Sequence, residues 1–240
     1  MNKVYESFKT AVADIPDGST VMVGGFGGPA GIPQNLIMAL RDQGARNLTL
    51  IHNTGGFGLS GIGYAAPRDV VYSDHSILIE NGQVSKVYCS FPFPPPPKAN
   101  SPFKEQYLAG QIDLEIVPQG TLAERIRAGG AGIGAFYTRT GAGTEVEKGK
   151  ETKIINGKRH VLEYALKADY ALVRAYKADT LGNLIFRGTA RTFNPIMATA
   201  AEITIAEVDV IVQPGEIDPE CVVTPFAYVD RIVQIPRELR

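Results

Sequence analysis

The sequence predicts an α/β fold, with an open, mostly parallel sheet, flanking helices and an added β-hairpin region. Three observations carry this. A first helix is followed by strand, helix and strand, the order of a right-handed crossover between parallel strands. The strand candidates are short apolar runs bounded by Gly, Pro, Asn and Ser. Asn156-Gly157 stands between two strand-like segments, Thr152 to Ile155 and His160 to Leu162, which is the signature of a tight hairpin. At 240 residues the chain suffices for one large domain or two small ones. No internal repeat or charged linker divides it, so residues 1 to 240 are read as one domain.

The opening MNKVYESFKTAVADI carries charges throughout and has no apolar signal core, so it reads as an amphipathic helix. Val21, Met22 and Val23 suit a buried strand. Gly24, Gly25, Gly27 and Gly28 follow, interrupted only by Phe26, so backbone can approach a ligand closely where the strand ends. Pro33 suits the first helical position, because its missing N–H needs no partner there and its φ is already helical. A helix from Gln34 to Arg41 then begins at the loop, with its free N–H groups and positive dipole end aimed at whatever the glycines admit.

Three readings of this loop stand side by side: a substrate loop, a dinucleotide site and a plain strand-to-helix turn. Gly25-x-Gly27-x-x-Ala30 fits the dinucleotide fingerprint in form. That fingerprint also wants an acidic residue roughly 20 positions on to hold the ribose. The next strand, Leu48 to Ile51, ends instead in His52-Asn53-Thr54-Gly55-Gly56, a set of neutral hydrogen-bonding groups.

Val70 to Ser73 and Lys86 to Cys89 are further strand candidates. Asn81-Gly82, between Ile77-Leu78-Ile79 and Val84, reads as a hairpin turn. Phe91 to Pro97 is mostly proline and cannot donate to a sheet, so it is an extended polyproline segment. It is a linker or a rigid wall, and alternating phenylalanine and proline favours the wall. Then come a helix Pro102 to Leu108, a strand Leu114 to Val117 and a helix Thr121 to Ala128. Gly129 to Gly134 and Thr138 to Gly143 form a second glycine-rich region, a candidate binding loop. Tyr170 to Val173, Leu184 to Phe186, Ile203 to Val212 and Tyr228 to Ile232 supply strands, with a helix from Pro195 to Ala201 among them.

Composition excludes several functions. Lys and Arg number 24 against 25 Asp and Glu, without blocks of like charge, so no nucleic acid or anionic membrane partner is indicated. The hydrophobic fraction is 44%, and no apolar run approaches the roughly 18 residues that span a bilayer. A cytoplasmic location is the expectation. Cys89 and Cys221 lie far apart and read as buried thiols, with neither a disulfide framework nor a metal cluster. His52, His75 and His160 lack metal-ligand spacing. Asp74-His75-Ser76 holds the letters of a hydrolase triad, but sequence neighbours on an extended segment point to opposite faces.

Longer motifs carry a family likeness. Asp17-Gly18, Gly24-Gly25-Phe26, Gly31 and Pro33 resemble the alpha-subunit signature of class I CoA-transferases, the group of the 3-oxoacid and acetate CoA-transferases. Tyr107 to Gly110, Pro118 to Arg125 through Gly132, Ala135 to Thr138, Lys177 to Asp179, Gly182-Asn183, Ala190-Arg191 with Phe193-Asn194, Pro214-Gly215 and Tyr228 to Arg231 extend the resemblance along the chain. It implies an open sheet of the CoA-transferase type and transfer of coenzyme A from an acyl-CoA to a free carboxylate. It also implies that the nucleophile, a glutamate that becomes an acyl anhydride and then a glutamyl-CoA thioester, belongs to a partner beta subunit in an α2β2 assembly. No catalytic residue and no metal is then expected in this chain, and coenzyme A is a substrate, not a tightly bound cofactor.

The resemblance assigns substrate-binding positions. Gln119 matches a glutamine that touches the substrate carboxylate, and an amide can donate to it without adding charge. A plainer role also stands, that Gln119 caps the helix beginning at Thr121. Asn53 matches an asparagine; His52 departs from a second one, and its ring either donates to substrate or packs inward. Gly24, Gly25, Phe26 and Gly27 shape the loop near the thioester, and Gly130 and Gly132 line the site. Glu80-Asn81-Gly82 imitates the context of the beta-chain nucleophile, but its neighbours match the alpha chain's own strand and turn, which makes Glu80 a turn-edge carboxylate. The segments Leu59 to His75 and Phe91 to Pro97 depart from the family on the acyl side, which points to an acid larger or more apolar than acetoacetate. The alternatives are a CoA-thioester hydrolase or ring-opening enzyme on the same scaffold, and a non-catalytic dinucleotide or sugar-phosphate binding protein. No lysine or arginine stands between Asp17 and Asn35 to favour a phosphate.

Overall fold

The computed structural model describes residues 2–26, 31–56, 74–94 and 101–239. Its elements are α1 (Phe8–Ala11), β1 (Thr20–Val23), α2 (Gln34–Gln43), β2 (Leu48–Ile51), α3 (Ser76–Glu80), β3 (Val84–Cys89), α4 (Pro102–Leu108), β4 (Asp113–Ile116) and α5 (Gln119–Gly130). There follow β5 (Ala135–Thr138), β6 (Thr152–Ile155), β7 (Lys158–Tyr164), β8 (Ala168–Asp179), β9 (Leu184–Ile185), α6 (Asn194–Ala198), β10 (Ala201–Val212) and β11 (Arg231–Gln234).

Seven strands run in the order β11-β10-β8-β1-β2-β3-β4, each parallel to its neighbours, and β9 joins β8 antiparallel. The sheet is covered on both faces, as parallel sheets are. Side chains alternate along each strand. Val21 and Val23 of β1 therefore enter one core with α1 to α4, through Ala11, Leu36, Leu40, Leu78 and Phe103. Met22 enters the other, with Leu122 and Ile126 of α5 and Met197 of α6. Among the described residues no helix is long and apolar enough to cross a membrane.

The second sheet, β5-β7-β6, is antiparallel and contains the expected hairpin at Asn156-Gly157, where both residues have positive φ. Arg125 joins it to the main body. Its Nε donates to Tyr164 O at 2.7 Å and its Nη1 to Glu115 of β4 at 2.7 Å.

Five expectations change. The opening stretch holds only the short helix α1, Phe8–Ala11, and Val4 ahead of it bridges to Ile232 in parallel. Ile77 to Ile79 form helix α3, not a strand, so Asn81-Gly82 links helix to strand and closes no hairpin; three apolar residues do not distinguish the two periods. Tyr228 lies in a 3-10 turn, Phe226–Tyr228, and the last strand begins at Arg231. Pro33 is the cap preceding α2, not its first residue. Cys89 is buried, which pushes its thiol up to about 12, but Cys221 is exposed. The strand expected at Val70 to Ser73, most of Leu59 to His75, and Pro95 to Pro97 lie outside the described residues.

Candidate functional site

Ligands of open α/β sheets bind beyond the carboxyl ends of the strands, at the point where strand order reverses. Here the chain builds β1-β2-β3-β4 outward on one side of β1 and returns to place β8 on the other. The carboxyl ends of β1 to β4 lead into Gly24-Gly25-Phe26, His52-Asn53, Ser90-Phe91 and Val117-Pro118-Gln119 respectively. The sheet thus gathers Gly24, Gly25, Phe26, His52, Asn53 and Gln119 along one edge.

Asn53 is the knot. Its carbonyl accepts the N–H groups of Ser90 and Phe91 at 3.0 and 3.1 Å. Its Oδ1 accepts from Gln119 Nε2 at 2.7 Å across the intervening β3. Asn53 is buried and Gln119 is half-buried at the first residue of α5. Gln119 therefore does not cap its own helix, whose cap position, Pro118, makes no side-chain bond. The paired amides keep NH2 hydrogens available as donors of the kind a carboxylate accepts.

His52 packs inward. It is 1% exposed, its Nδ1 bonds Val23 O at 2.7 Å, and its ring lies 4.1 Å from that of His75. Burial, followed by the second imidazole, holds His52 down to about 3, so the ring is neutral at any physiological pH. His75 Nε2 bonds Thr54 O at 3.0 Å, and Ser76 N–H donates to Asp74 Oδ1. These three residues turn into α3 and are not extended, yet among the described residues neither His75 Nδ1 nor Ser76 Oγ has a hydrogen-bond partner that would make a relay.

The glycines at the end of β1 are there because other backbone and side chains come close. A Cβ on Gly24 would stand 1.8 Å from Asn194 Oδ1, and Gly25 adopts φ +96 against Ile32. Phe26 is 46% exposed, with its ring 6.4 Å from that of Phe193. Gly27 lies outside the described residues. Gly130 and Gly132 are not brought here. Gly130 ends α5, roughly 16 Å along the helix from Gln119, and has no side chain because Thr199 Oγ1 would lie 2.3 Å from its Cβ. Gly132 is at an exposed turn just beyond.

The N-terminus of α2 does not offer free N–H groups to a ligand. Glu207 of β10 reaches it from inside, and its Oε2 accepts from Asn35 N and Leu36 N at 2.9 and 3.0 Å. Arg174 of β8 pairs with Glu207 at 3.2 Å and with Asp209 at 3.0 Å. Burial pushes the Glu207 carboxyl up to about 7 despite that cation and those donors. The chain has used the positive helix end for its own carboxylate.

A cavity of about 350 Å³ opens beside the amide pair. Phe26, Gln119, Gly120 and Ala123 form one wall; Thr192, Phe193 and Ile196 form the other. The sequence signal at the second wall is the family likeness of Ala190-Arg191 and Phe193-Asn194, which carries no site role. Thr192 stands at φ 39, an uncommon state for a β-branched residue, and the Phe-Asn-Pro sequence that follows starts α6. Elsewhere, Phe91 is 50% exposed beside Asn53, and Phe93, Phe103 and Tyr107 cluster with centroids 5.9 to 6.0 Å apart. Glu80 is exposed at the end of α3, just before β3 starts, at the sheet edge opposite Asn53. Among the described residues no group of three or more His, Cys, Asp or Glu is arranged for a metal.

Residues 5–234 match the family model described as Coenzyme A transferase. The chain is 51% identical to one subunit of the 3-oxoadipate CoA-transferase of Pseudomonas putida, covering 98% of this chain and 94% of that one. It is 48% identical to one subunit of the probable succinyl-CoA:3-ketoacid coenzyme A transferase of Bacillus subtilis, covering 97% and 90%. Its fold resembles the crystal structure of glutaconate coenzyme A-transferase from Acidaminococcus fermentans, with a TM-score of 0.78 and 22% identity over 99% of this chain and 77% of that chain.

Proposed function

The chain belongs to the coenzyme A transferase family, and we propose that it is the alpha subunit, which holds the acid while a glutamate of a partner beta subunit performs the covalent chemistry. It is part of an enzyme, and the naming of its relatives as single subunits of their transferases implies a partner chain. The partner's glutamate carboxylate attacks the acyl-CoA carbonyl, giving an acyl-glutamyl anhydride and releasing the CoA thiolate. The thiolate attacks the glutamyl carbonyl, giving a glutamyl-CoA thioester and the first free acid. A second acid reverses both steps and leaves as its CoA ester. Every intermediate keeps an activated acyl bond, so the thioester's energy is not lost to water.

The observation that carries this reading is the Gln119 to Asn53 bond at the carboxyl edge of the sheet. Neutral amide donors orient a carboxylate without quenching it through an opposing charge, as a group that must act as a nucleophile requires. The acid is a 3-oxoacid or a larger apolar relative, since the described surroundings are Phe26, Phe91 and Phe193. Coenzyme A comes as a substrate, and an α2β2 assembly completes the site.

The test is co-expression with the beta partner, followed by borohydride reduction in the presence of acyl-CoA. Loss of activity with label on a glutamate of the beta partner is the expected result. Full transfer by this chain alone, or label on one of its own side chains, would refute the reading; rapid release of free CoA without transfer would favour a thioester hydrolase.

A further inference from the structure

The cavity between α5 and the segment Thr192 to Ile196 is more specific than an acid-binding edge needs to be. Among the described residues that line it, the side-chain polar groups are the Gln119 amide and the Thr192 hydroxyl, and none is ionisable. Gln119 and Ala123 are four residues apart on α5, hence on one face and roughly 6 Å apart along the axis. An acid whose carboxyl meets Gln119 would therefore lead its remaining carbons past Ala123 toward Phe193 and Ile196.

The far wall is preformed. Asn194 is fully buried, and its Oδ1 accepts Arg174 N–H at 3.0 Å. Its Nδ2 donates to Gly31 O at 2.9 Å, Ala190 O at 3.0 Å and Thr192 Oγ1 at 3.3 Å. One side chain thus binds the segment after the glycine loop, strand β8 and the turn at Thr192. A turn held in an unusual backbone state by a buried polar hub is costly unless its shape is used.

We propose that this cavity is a subsite for the uncharged hydrocarbon tail of the 3-oxoacyl group, and that Ala123 sets the longest tail it accepts. The proposal rests on the transferase reading for its substrate, but the cavity is testable without it. Burying one methylene favours a ligand about fourfold, and a dicarboxylate would place its second charge against a wall with no cation among the described residues.

The holoenzyme with its beta partner is assayed with succinyl-CoA and 3-oxobutanoate, 3-oxohexanoate, 3-oxooctanoate and 3-oxoadipate. The wild type should prefer 3-oxohexanoate to both 3-oxobutanoate and 3-oxoadipate in kcat/KM. Ala123→Leu should lose tenfold or more toward the longer uncharged acids while 3-oxobutanoate changes little, and Ile196→Ala should extend the range upward. Octanoate binding by calorimetry to the same proteins reads the subsite without turnover, and Ala123→Leu should weaken it. Equal loss across all acids, a wild-type preference for 3-oxoadipate, or octanoate binding indifferent to Ala123→Leu would overturn the proposal. Absence of transfer with every acid would remove the transferase reading alone, because octanoate binding still decides the tail subsite.

Discussion

The crevice between β1 and β8 and the edge above β2 to β4 begin from the same geometry and end differently. Both lie at the carboxyl ends of parallel strands, where α/β proteins keep their ligands. Above β1 and β8 the chain fills the space with itself: Asn194 meets Gly24, and Glu207 takes the N-terminus of α2. Above β2 to β4 it leaves an amide pair, beside an apolar cavity whose far wall, Thr192 to Ile196, borders the filled crevice. The glycine loop therefore serves close internal packing at least as much as approach by a ligand, and the recognisable chemistry moves one strand outward. Substitutions in the filled crevice should act on stability, and those at the open edge on turnover.

The largest separation is expected from Gln119→Ala. Removing a preorganised donor costs about a hundredfold to a thousandfold in kcat. Thermal melting of the variant should fall only modestly: the residue does not cap α5, and the loss is the acceptor left unmet at Asn53 Oδ1, about 1 kcal/mol. A large fall in Tm with little change in turnover would reverse the assignment of the two regions.

Asn194→Ala should do the opposite first. It strands Arg174 N–H, the buried Gly31 carbonyl and the part-buried Ala190 carbonyl, a loss of about 3 kcal/mol in urea unfolding. Turnover should fall only as the cavity wall loosens.

Glu207→Gln sharpens the comparison through pH. The folded carboxyl is raised from 4.5 to about 7, so its stabilising share is complete below about pH 4.5 and is lost as pH rises through about 7. The glutamine variant lacks that loss. Its unfolding free energy relative to wild type should therefore improve by about 1–3 kcal/mol between pH 4.5 and 7.5. A difference that stays flat across this range would show that Glu207 remains ionised against Arg174 and belongs to an ordinary ion pair.

His52→Asn should have the smallest effect, about 1 kcal/mol at pH 7.5 for the lost bond to Val23. His52 is lowered from 6.5 to about 3. Wild-type stability is thus full above pH 6.5 and lost as pH falls toward 3, so the gap between the two proteins should narrow at pH 5. With the ring buried, kcat/KM should hardly move; a strong loss would bring His52 back to the substrate.

The parts of this design that are legible in the sequence are those whose causes are local. Val21 to Val23 and Leu48 to Ile51 read as strands because β-branched and apolar residues cluster between turn residues, and Asn156-Gly157 reads as a hairpin because both positions need φ above zero. Strand β8 runs on past Val173, where its apolar pattern stops. Arg174 interrupts that pattern, and the carboxylates of Glu207 and Asp209 on the neighbouring strand make the cation fit a sheet interior. The closure of the crevice is illegible for the same reason. Glu207 and Asn35 are 172 residues apart, and Asn194 and Gly31 are 163 apart. No periodicity links them. Gln119 and Asn53 are reached through family likeness, and their mutual bond spans 66 residues. Ala123 and Ile196 are ordinary helix residues until the fold sets one opposite the other.

The central position of β1 has a consequence during synthesis. Its neighbour β2 is made almost at once, but Thr20 waits 149 residues for Asp169, the residue of β8 whose carboxylate accepts its N–H. At ribosomal speed that is roughly 7–30 s. Through that interval the nascent half-sheet carries one bare, strongly apolar margin, a natural docking place for chaperones and a hazard in fast expression. Slowing translation ahead of β8 should lengthen this vulnerable window and lower soluble yield, and extra chaperone should restore it.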